Sequence, residues 1–303
     1  MYDLIIVGGG PAGISAAIYA GRYGLKTILC SDIIGGEIAL SSIIENYPGF
    51  KKISGSDLAK KWEDHIKSVG VEIKNDKVSE IKKEADIFKI KAGDNQIESK
   101  SVILATGMER RKLGVPGEKE FKNKGVAYCA TCDGPLFKGK NVVVVGGGNA
   151  GVEAALYLSE IAKEVSLIEI GGDLPATQSL VNQLEKKENV QIITGNQITK
   201  IKGKMTVKSA ILDKEIGGKK ELPCDGVFIE IGSEPNPALA KSAGVEIDER
   251  GFIEVKSNQS TNILGLFAAG DATTSSNFFW QALTAMSEGA IAADSANKYL
   301  KGK

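Results

Sequence analysis

One local pattern occurs twice, 138 residues apart, and it limits what this 303-residue chain can fold into. Leu4-Ile5-Ile6-Val7 runs into Gly8-Gly9-Gly10-Pro11-Ala12-Gly13, and Val142-Val143-Val144-Val145 runs into Gly146-Gly147-Gly148-Asn149-Ala150-Gly151. A short unbroken apolar run reads as a strand buried on both faces. The G-x-G-x-x-G that follows reads as a turn into a helix that takes a dinucleotide. Its first glycine makes the turn, the second lets backbone approach a pyrophosphate, and the third lets helix and strand pack closely. The helix start supplies unpaired N–H groups to the phosphates. The same shift carries Gly8, Gly10, Gly13, Ala16, Ala17 and Tyr19 onto Gly146, Gly148, Gly151, Ala154, Ala155 and Tyr157, so a whole nucleotide-binding unit is repeated.

The segments around each copy extend the repeat. A helix over Ile14–Gly24 and a strand over Thr27–Cys30 follow the first turn, and a strand over Val165–Ile168 follows the second. The residue that ends this second strand normally holds ribose hydroxyls through a carboxylate. In the first copy that place falls at Ser31 or Asp32, with Asp32 the better acceptor. In the second it falls on Glu169. Residues 71–103 and 190–231 alternate with period two, as short antiparallel meanders do. Asp57–Ser68 reads as an amphipathic helix carrying His65, the single histidine, among solvated neighbours. Gln281–Leu300 is a small-residue helix behind the strand and turn Gly265–Asp271. The last piece is too short for a domain and is expected to complete the first one. The sequence therefore predicts an α/β fold of two doubly wound, three-layer, Rossmann-like domains. Each carries a small meander, and the second is inserted in the first, as 1–112 plus 243–303 and 113–242.

Between the two glycine turns lies Tyr128-Cys129-Ala130-Thr131-Cys132-Asp133-Gly134. Two thiols spaced this way at a helix start can close a small reducible ring, and the helix start favours a thiolate. Thiolates exchange with disulfides through a mixed disulfide. Zinc is the competing use of a CxxC, but structural zinc takes four Cys or His ligands. Cys30, Cys224 and His65 lie far apart, so no metal site is expected. Cys30 and Cys224 each stand alone near a strand and read as buried, inert thiols.

Charge and hydropathy remove other classes. Lys+Arg 38 balances Asp+Glu 38, so nothing draws the chain to nucleic acid or an anionic membrane. No apolar run approaches the roughly 20 residues of a membrane span. The first residues read as a strand rather than a secretory signal, so a cytoplasmic protein is expected.

With these pieces in order, the chain resembles the low-molecular-weight thioredoxin reductases, two-domain FAD disulfide oxidoreductases, over essentially its full length. The resemblance rests first on Cys129-Ala130-Thr131-Cys132-Asp133-Gly134 just ahead of the second glycine turn. Gly8–Gly13, Glu45-Asn46-Tyr47-Pro48-Gly49, Ala105-Thr106-Gly107 and Ala268-Ala269-Gly270-Asp271 match in order and spacing. It implies non-covalent FAD in the first domain, lined by Gly8, Gly10, Pro11, Ala12, Gly13, Gly36, Glu37, Val78, Thr106, Gly107 and Gly270. Asp271 would hold the ribityl or pyrophosphate region. Asn46, Gln281 and Ala282 would lie near the flavin ring, with the last helix aiming its N-terminus at it. It further implies that Cys132 faces the flavin, Cys129 attacks the partner's disulfide and Asp133 supplies and accepts the proton. The two chain crossings would act as hinges, the partner would be thioredoxin or a glutaredoxin-like protein, and the chain would be a homodimer.

This sequence departs from the family after Ile168. NADPH-using relatives place two arginines there, whereas Glu169-Ile170-Gly171-Gly172-Asp173-Leu174-Pro175-Ala176 contains no Lys or Arg. A carboxylate repels a 2′-phosphate and suits a ribose diol, which disfavours NADPH. Gly146, Gly148, Asn149, Gly151 and Glu169 then form a site for NADH. Reduced ferredoxin or a deazaflavin could serve instead, as could NADPH held weakly by other groups. Glu37 and Trp280 stand where relatives have Gln and Arg, and Pro135-Leu136 replaces an aromatic pair beside the thiols. The alternatives to a disulfide reductase are a flavin dithiol oxidase and a redox-sensing dinucleotide-binding protein without turnover.

Overall fold

The computed structural model describes residues 1–41 and 44–302. The chain starts with β1 (Tyr2–Val7), α1 (Pro11–Arg22), β2 (Thr27–Cys30), α2 (Gly55–Ser68) and β3 (Glu72–Lys74). β4 (Val78–Glu84), β5 (Ile87–Ala92) and β6 (Asn95–Leu104) form an antiparallel meander. The sheet order is β3-β2-β1-β6-β5-β4. β6 joins its two halves: its start pairs antiparallel with β5 and its end pairs parallel with β1. The alternation read from residue 71 thus covers two structures, because β3 is a parallel edge strand on β2.

The chain then passes through β7 (Met108–Arg110) into a second unit. Here lie β8 (Val126–Ala127), α3 (Ala130–Asp133), β9 (Asn141–Val145), α4 (Asn149–Ser159), β10 (Glu164–Ile168), α5 (Gln178–Leu184) and β11 (Val190–Ile193). The strands form a parallel sheet, β11-β10-β9-β15-β8, in which β15 spans Gly226–Ile229. β12 (Ile198–Gly203), β13 (Val207–Ile216) and β14 (Lys219–Pro223) make a separate antiparallel sheet. The return runs through β16 (Ser233–Pro235), paired with β7, into α6 (Ala238–Ser242), β17 (Leu266–Ala268) and α7 (Ala282–Lys301). β17 adds to β6 in parallel, so the tail completes the first sheet.

The compact units are Met1–Glu109 with Glu234–Lys303, and Arg110–Ser233. The crossings therefore lie before the expected positions of 113 and 243. Arg110 already belongs to the second unit, where it bonds Glu230 at 2.9 Å. On the return, Ala240 of α6 is buried with Val78 and Ile81 of β4, which ties residues 234–242 to the first unit.

Alternation along the central strands explains the three layers. Leu4 and Ile6 face a cluster with Ala16, Ala20 and Ala292, from α1 and α7. Ile5 and Val7 face Ile81, Phe88 and Ile90 of the meander. In the second unit, Val142 and Val144 pack with α4, while Val143 and Val145 pack with β12 and β13. A strand covered on both faces has no solvent side, which is why each reads as an unbroken apolar run.

Candidate functional site

The two glycine turns are superimposable in their backbone angles. Gly8 and Gly146 have φ of 109° and 111°, a region only glycine enters freely. A Cβ on Gly13 would lie 1.9 Å from the Gly8 carbonyl oxygen, and one on Gly151 would lie 1.8 Å from that of Gly146. Those glycines seal helix onto strand. Gly10 and Gly148, the N-caps of α1 and α4, differ: a Cβ there meets nothing within 4 Å. Open space at the start of a helix capped by no side chain is what a phosphate requires.

In the first unit the loops converge on this turn. Gly8 lies against Ala105, so the turn Ala105-Thr106-Gly107 sits beside it. Gly36 has φ of 55°, and a Cβ on it would lie 3.0 Å from the Gly10 Cα. Glu37 follows it, exposed, in a 3-10 turn. Pro11 and Ala12 open α1, and a Cβ on Gly270 would lie 2.9 Å from that of Ala12. Asp271 comes next, and burial together with the nearby Glu288 pushes its carboxyl up to about 6. Gln281 is the N-cap of α7 ahead of Ala282, in a capping box with Thr284, and its Oε1 accepts from Asn46 Nδ2 at 3.0 Å. Val78 is part of the core with Val7 and Cys30, the last residues of β1 and β2. Asp32 is exposed, and Ser31 is occupied locally, its hydroxyl bonding the Ile33 carbonyl. Trp280 stacks on Phe252, ring centroids 5.8 Å apart.

In the second unit Glu169 fills the place of Ser31. Its two oxygens accept the amides of Gly147 at 2.6 Å and Gly171 at 2.8 Å. The following loop folds back on the turn, with Ala176 N on the Gly147 carbonyl and Thr177 N on Asn149 Oδ1. The carboxylate is thus fixed by backbone at the end of β10.

The thiols are joined: Cys129 and Cys132 form a disulfide, with Cα atoms 5.3 Å apart. β8 delivers Cys129 to the N-cap of α3, where its Sγ accepts the Cys132 amide at 3.2 Å. α3 is a single turn, so the favourable field on Cys129 comes from this local amide and not from a long helix dipole. Cys129 is half-buried and Cys132 exposed. Desolvation raises the Asp133 carboxyl above its ordinary range. Leu136 stands 69% exposed beside them. Cys30 and Cys224 are buried, their thiols pushed up by burial to about 11 and about 12, which keeps them as inert thiols. His65 is exposed on α2.

Two carboxylates carry weight that the sequence did not reveal. Glu118, 5% exposed, accepts the amides of Leu113 and Gly114 and the phenol of Tyr128. Glu288 is equally buried and bonds Gly270. Neither sits in a motif.

Among the described residues, no group of three or more His, Cys, Asp or Glu could hold a metal, and no helix is long and apolar enough to cross a membrane.

A doubly wound fold with two open glycine turns and a CxxC disulfide defines a class, and the comparisons agree with it. The chain belongs to the pyridine nucleotide-disulphide oxidoreductase family, which its residues 2–289 match, and within it to the FAD-dependent, two-domain thioredoxin reductases of low molecular weight. It is 41% identical to a 34.2 kDa protein in the rubredoxin operon of Clostridium pasteurianum, covering 99% of this chain and 98% of that one. It is 40% identical to a thioredoxin reductase of Treponema pallidum, covering 99% and 97%. It also matches a Bacillus subtilis NADH dehydrogenase at 40% identity over 99% of this chain, but spans only 58% of that protein's length. Among solved structures, Lactococcus lactis thioredoxin reductase superposes with a TM-score of 0.90 at 35% identity over the full length of both chains. A ferredoxin-flavin thioredoxin reductase of Clostridium acetobutylicum gives 0.54 at 34% identity, covering 100% of this chain and 99% of that one.

The residues present fit FAD. The open cradle at Gly10 suits a pyrophosphate. Asp271 is a desolvated carboxylate without a cation partner among the described residues, which suits sugar hydroxyls as donors.

Proposed function

We propose that the protein reduces the disulfide of a thioredoxin- or glutaredoxin-like partner through its own Cys129–Cys132 pair, using FAD held in the first unit. The observation that carries this reading is the disulfide itself, closed at an exposed turn with a carboxyl directly after it. Bound flavin supplies the two electrons that open that disulfide. Cys129, as thiolate, then attacks one sulfur of the partner's disulfide, and the other leaves as a thiolate. Asp133, its proton held more firmly than an ordinary carboxyl's, supplies the proton to that leaving sulfur. Cys132 next attacks the Cys129 sulfur, which restores the internal disulfide and frees the partner's second thiol. Exposed Pro135 and Leu136 offer an apolar contact beside the exchange. The reading requires the crossings at 109–110 and 233–234 to act as hinges, so that the pair meets flavin and partner in turn. It includes a cytoplasmic homodimer.

The donor in this reading is not NADPH. Glu169, anchored by two amides, puts a fixed negative charge where a 2′-phosphate would need cations. NADH, with its ribose diol, is acceptable to that carboxylate. Reduced ferredoxin or a deazaflavin needs no second nucleotide site at all. The test is anaerobic mixing of the purified protein with NADH, NADPH or reduced ferredoxin while the flavin band is followed. Bleaching by NADH or ferredoxin is expected. Fast bleaching by micromolar NADPH would overturn the donor reading. Separately, Cys132→Ser is expected to keep flavin and lose partner reduction, and turnover retained in that variant would remove the dithiol from the reaction.

A further inference from the structure

Helix α7 buries a carboxylate, Glu288, that no motif of the sequence marks. Glu288 is 5% exposed and stands next to Gly289, whose Cβ would lie 2.0 Å from the Ala12 carbonyl oxygen. It forms no ion pair among the described residues. Instead one carboxylate gathers two donors, the Gly270 amide at 2.7 Å and the Ser276 hydroxyl in a short bond, with the Thr273 hydroxyl 3.4 Å away and donating to the Gly270 carbonyl at 2.9 Å. Gly270 precedes Asp271. Ser276 opens a loop in which Ser276, Asn277 and Phe278 have φ of 50°, 50° and 58°. Three successive side-chain-bearing residues adopt that region only where their surroundings hold them there. The surroundings are specific. Gln259 Nε2 donates to Ser275 Oγ at 2.9 Å, Phe278 and Trp280 pack on Phe252, and Arg250 lies 4.0 Å over the Phe278 ring. The loop ends at Gln281, the N-cap of α7.

We propose that Glu288 is a positioning residue for the flavin, clamping the Asp271 turn and the strained Ser276–Trp280 loop to the start of α7. The inference rests on FAD occupying the first unit. It gives Glu288 two separable effects. Geometrically, the clamp fixes where Asp271 and Gln281 stand. Electrostatically, its charge opposes ionisation of Asp271, whose carboxyl is held at about 6 by burial first and Glu288 second. Glu288 is the charged neighbour that raises it. A carboxylate accepts sugar hydroxyls best when ionised, so flavin is held less firmly as pH falls through the Asp271 range.

The experiment measures flavin release from the holoprotein, by the fluorescence gained on dilution, at pH 8 and pH 5.5. Glu288→Gln keeps the shape but not the charge, and its single amide oxygen replaces the two carboxylate oxygens that take Gly270 and Ser276 separately. Release at pH 8 should quicken about tenfold, as for a buried donor left unpaired. At the same time its acceleration between pH 8 and 5.5 should shrink, because Asp271 then stays ionised to lower pH. A purely structural lesion would speed release equally at both. Ser276→Ala, at an exposed site, should quicken release a few-fold and leave the pH dependence unchanged. Wild-type release rates in both variants, or an unaltered pH ratio in Glu288→Gln, would overturn the proposal. Wild-type protein purified without flavin would instead overturn the FAD reading beneath it.

Discussion

The phenol of Tyr128 donates a 2.6 Å hydrogen bond to Glu118, and Tyr128 is the residue directly before Cys129. The same carboxylate accepts the amides of Leu113 and Gly114, a few residues past the entry to the second unit. One buried charge thus ties the entering chain to the redox turn. Burial, followed by Glu118, raises the phenol's pKa far above its ordinary value, so the phenol keeps its proton to donate. Tyr128→Phe leaves Glu118 two partners, and the loss should be about 1 kcal/mol in denaturant unfolding. Glu118→Leu strands three donors and should cost several times more. Partner reduction should slow in Tyr128→Phe while flavin content stays unchanged.

Glu169 governs the second nucleotide turn in the same way. Glu169→Ala frees the Gly147 and Gly171 amides and removes the charge that opposes a 2′-phosphate. The variant should lose any advantage of NADH over NADPH, read as the ratio of flavin-bleaching rates. A ratio unchanged from wild type would show that the carboxylate does not set donor choice. Protein reduced only by ferredoxin should keep its full rate.

Asp133 separates stability from activity. Its folded carboxyl binds a proton more firmly than the unfolded chain's does, because burial disfavours the charge. Between pH 3.8 and its raised value the folded state holds more protons than the unfolded state, so this group's contribution to stability falls as pH rises through that range. Asp133→Asn carries no charge to desolvate. It should be at least as stable as wild type at pH 8 by thermal unfolding. Its rate with a disulfide partner should nonetheless fall by about a hundredfold or more, the usual weight of a positioned acid.

Sequence legibility followed how local each requirement is. Gly8, Gly13, Gly146 and Gly151 are demanded by their own turns, so both nucleotide units and the insertion could be read directly. CxxC spacing likewise brings Cys129 and Cys132 within bonding range through one turn. The boundary expected at 243 falls about nine residues past the second crossing because α6 is short, and only its packing against β4 assigns it to the first unit. Sequence alternation places β3 in the meander, since three residues cannot distinguish a parallel edge from an antiparallel one. Glu118 and Glu288 were invisible because burial of a lone carboxylate is decided by the groups that converge on it from distant segments. The left-handed run Ser276–Phe278 gave no signal either, since no glycine marks it.

The repeat itself supplies the sharpest contrast between fold and ligand. Gly10→Ala adds a methyl where nothing lies within 4 Å, at φ of −73°, which any residue adopts. It should fold with a wild-type melting temperature and yet hold flavin at least tenfold more weakly, because the methyl occupies the space a phosphate needs. Gly13→Ala puts its methyl 1.9 Å from the Gly8 carbonyl, deep between α1 and β1, and should destabilise the first unit by about 2 kcal/mol or more. Gly148→Ala and Gly151→Ala should divide in the same way in the second unit, with NADH binding as the readout in place of flavin. If wild type binds no NADH and Gly148→Ala leaves the ferredoxin-dependent rate untouched while Gly10→Ala loses flavin, the second turn takes no nucleotide and electrons arrive by a protein carrier. Equal loss in both would mark two working dinucleotide sites built from one repeated unit.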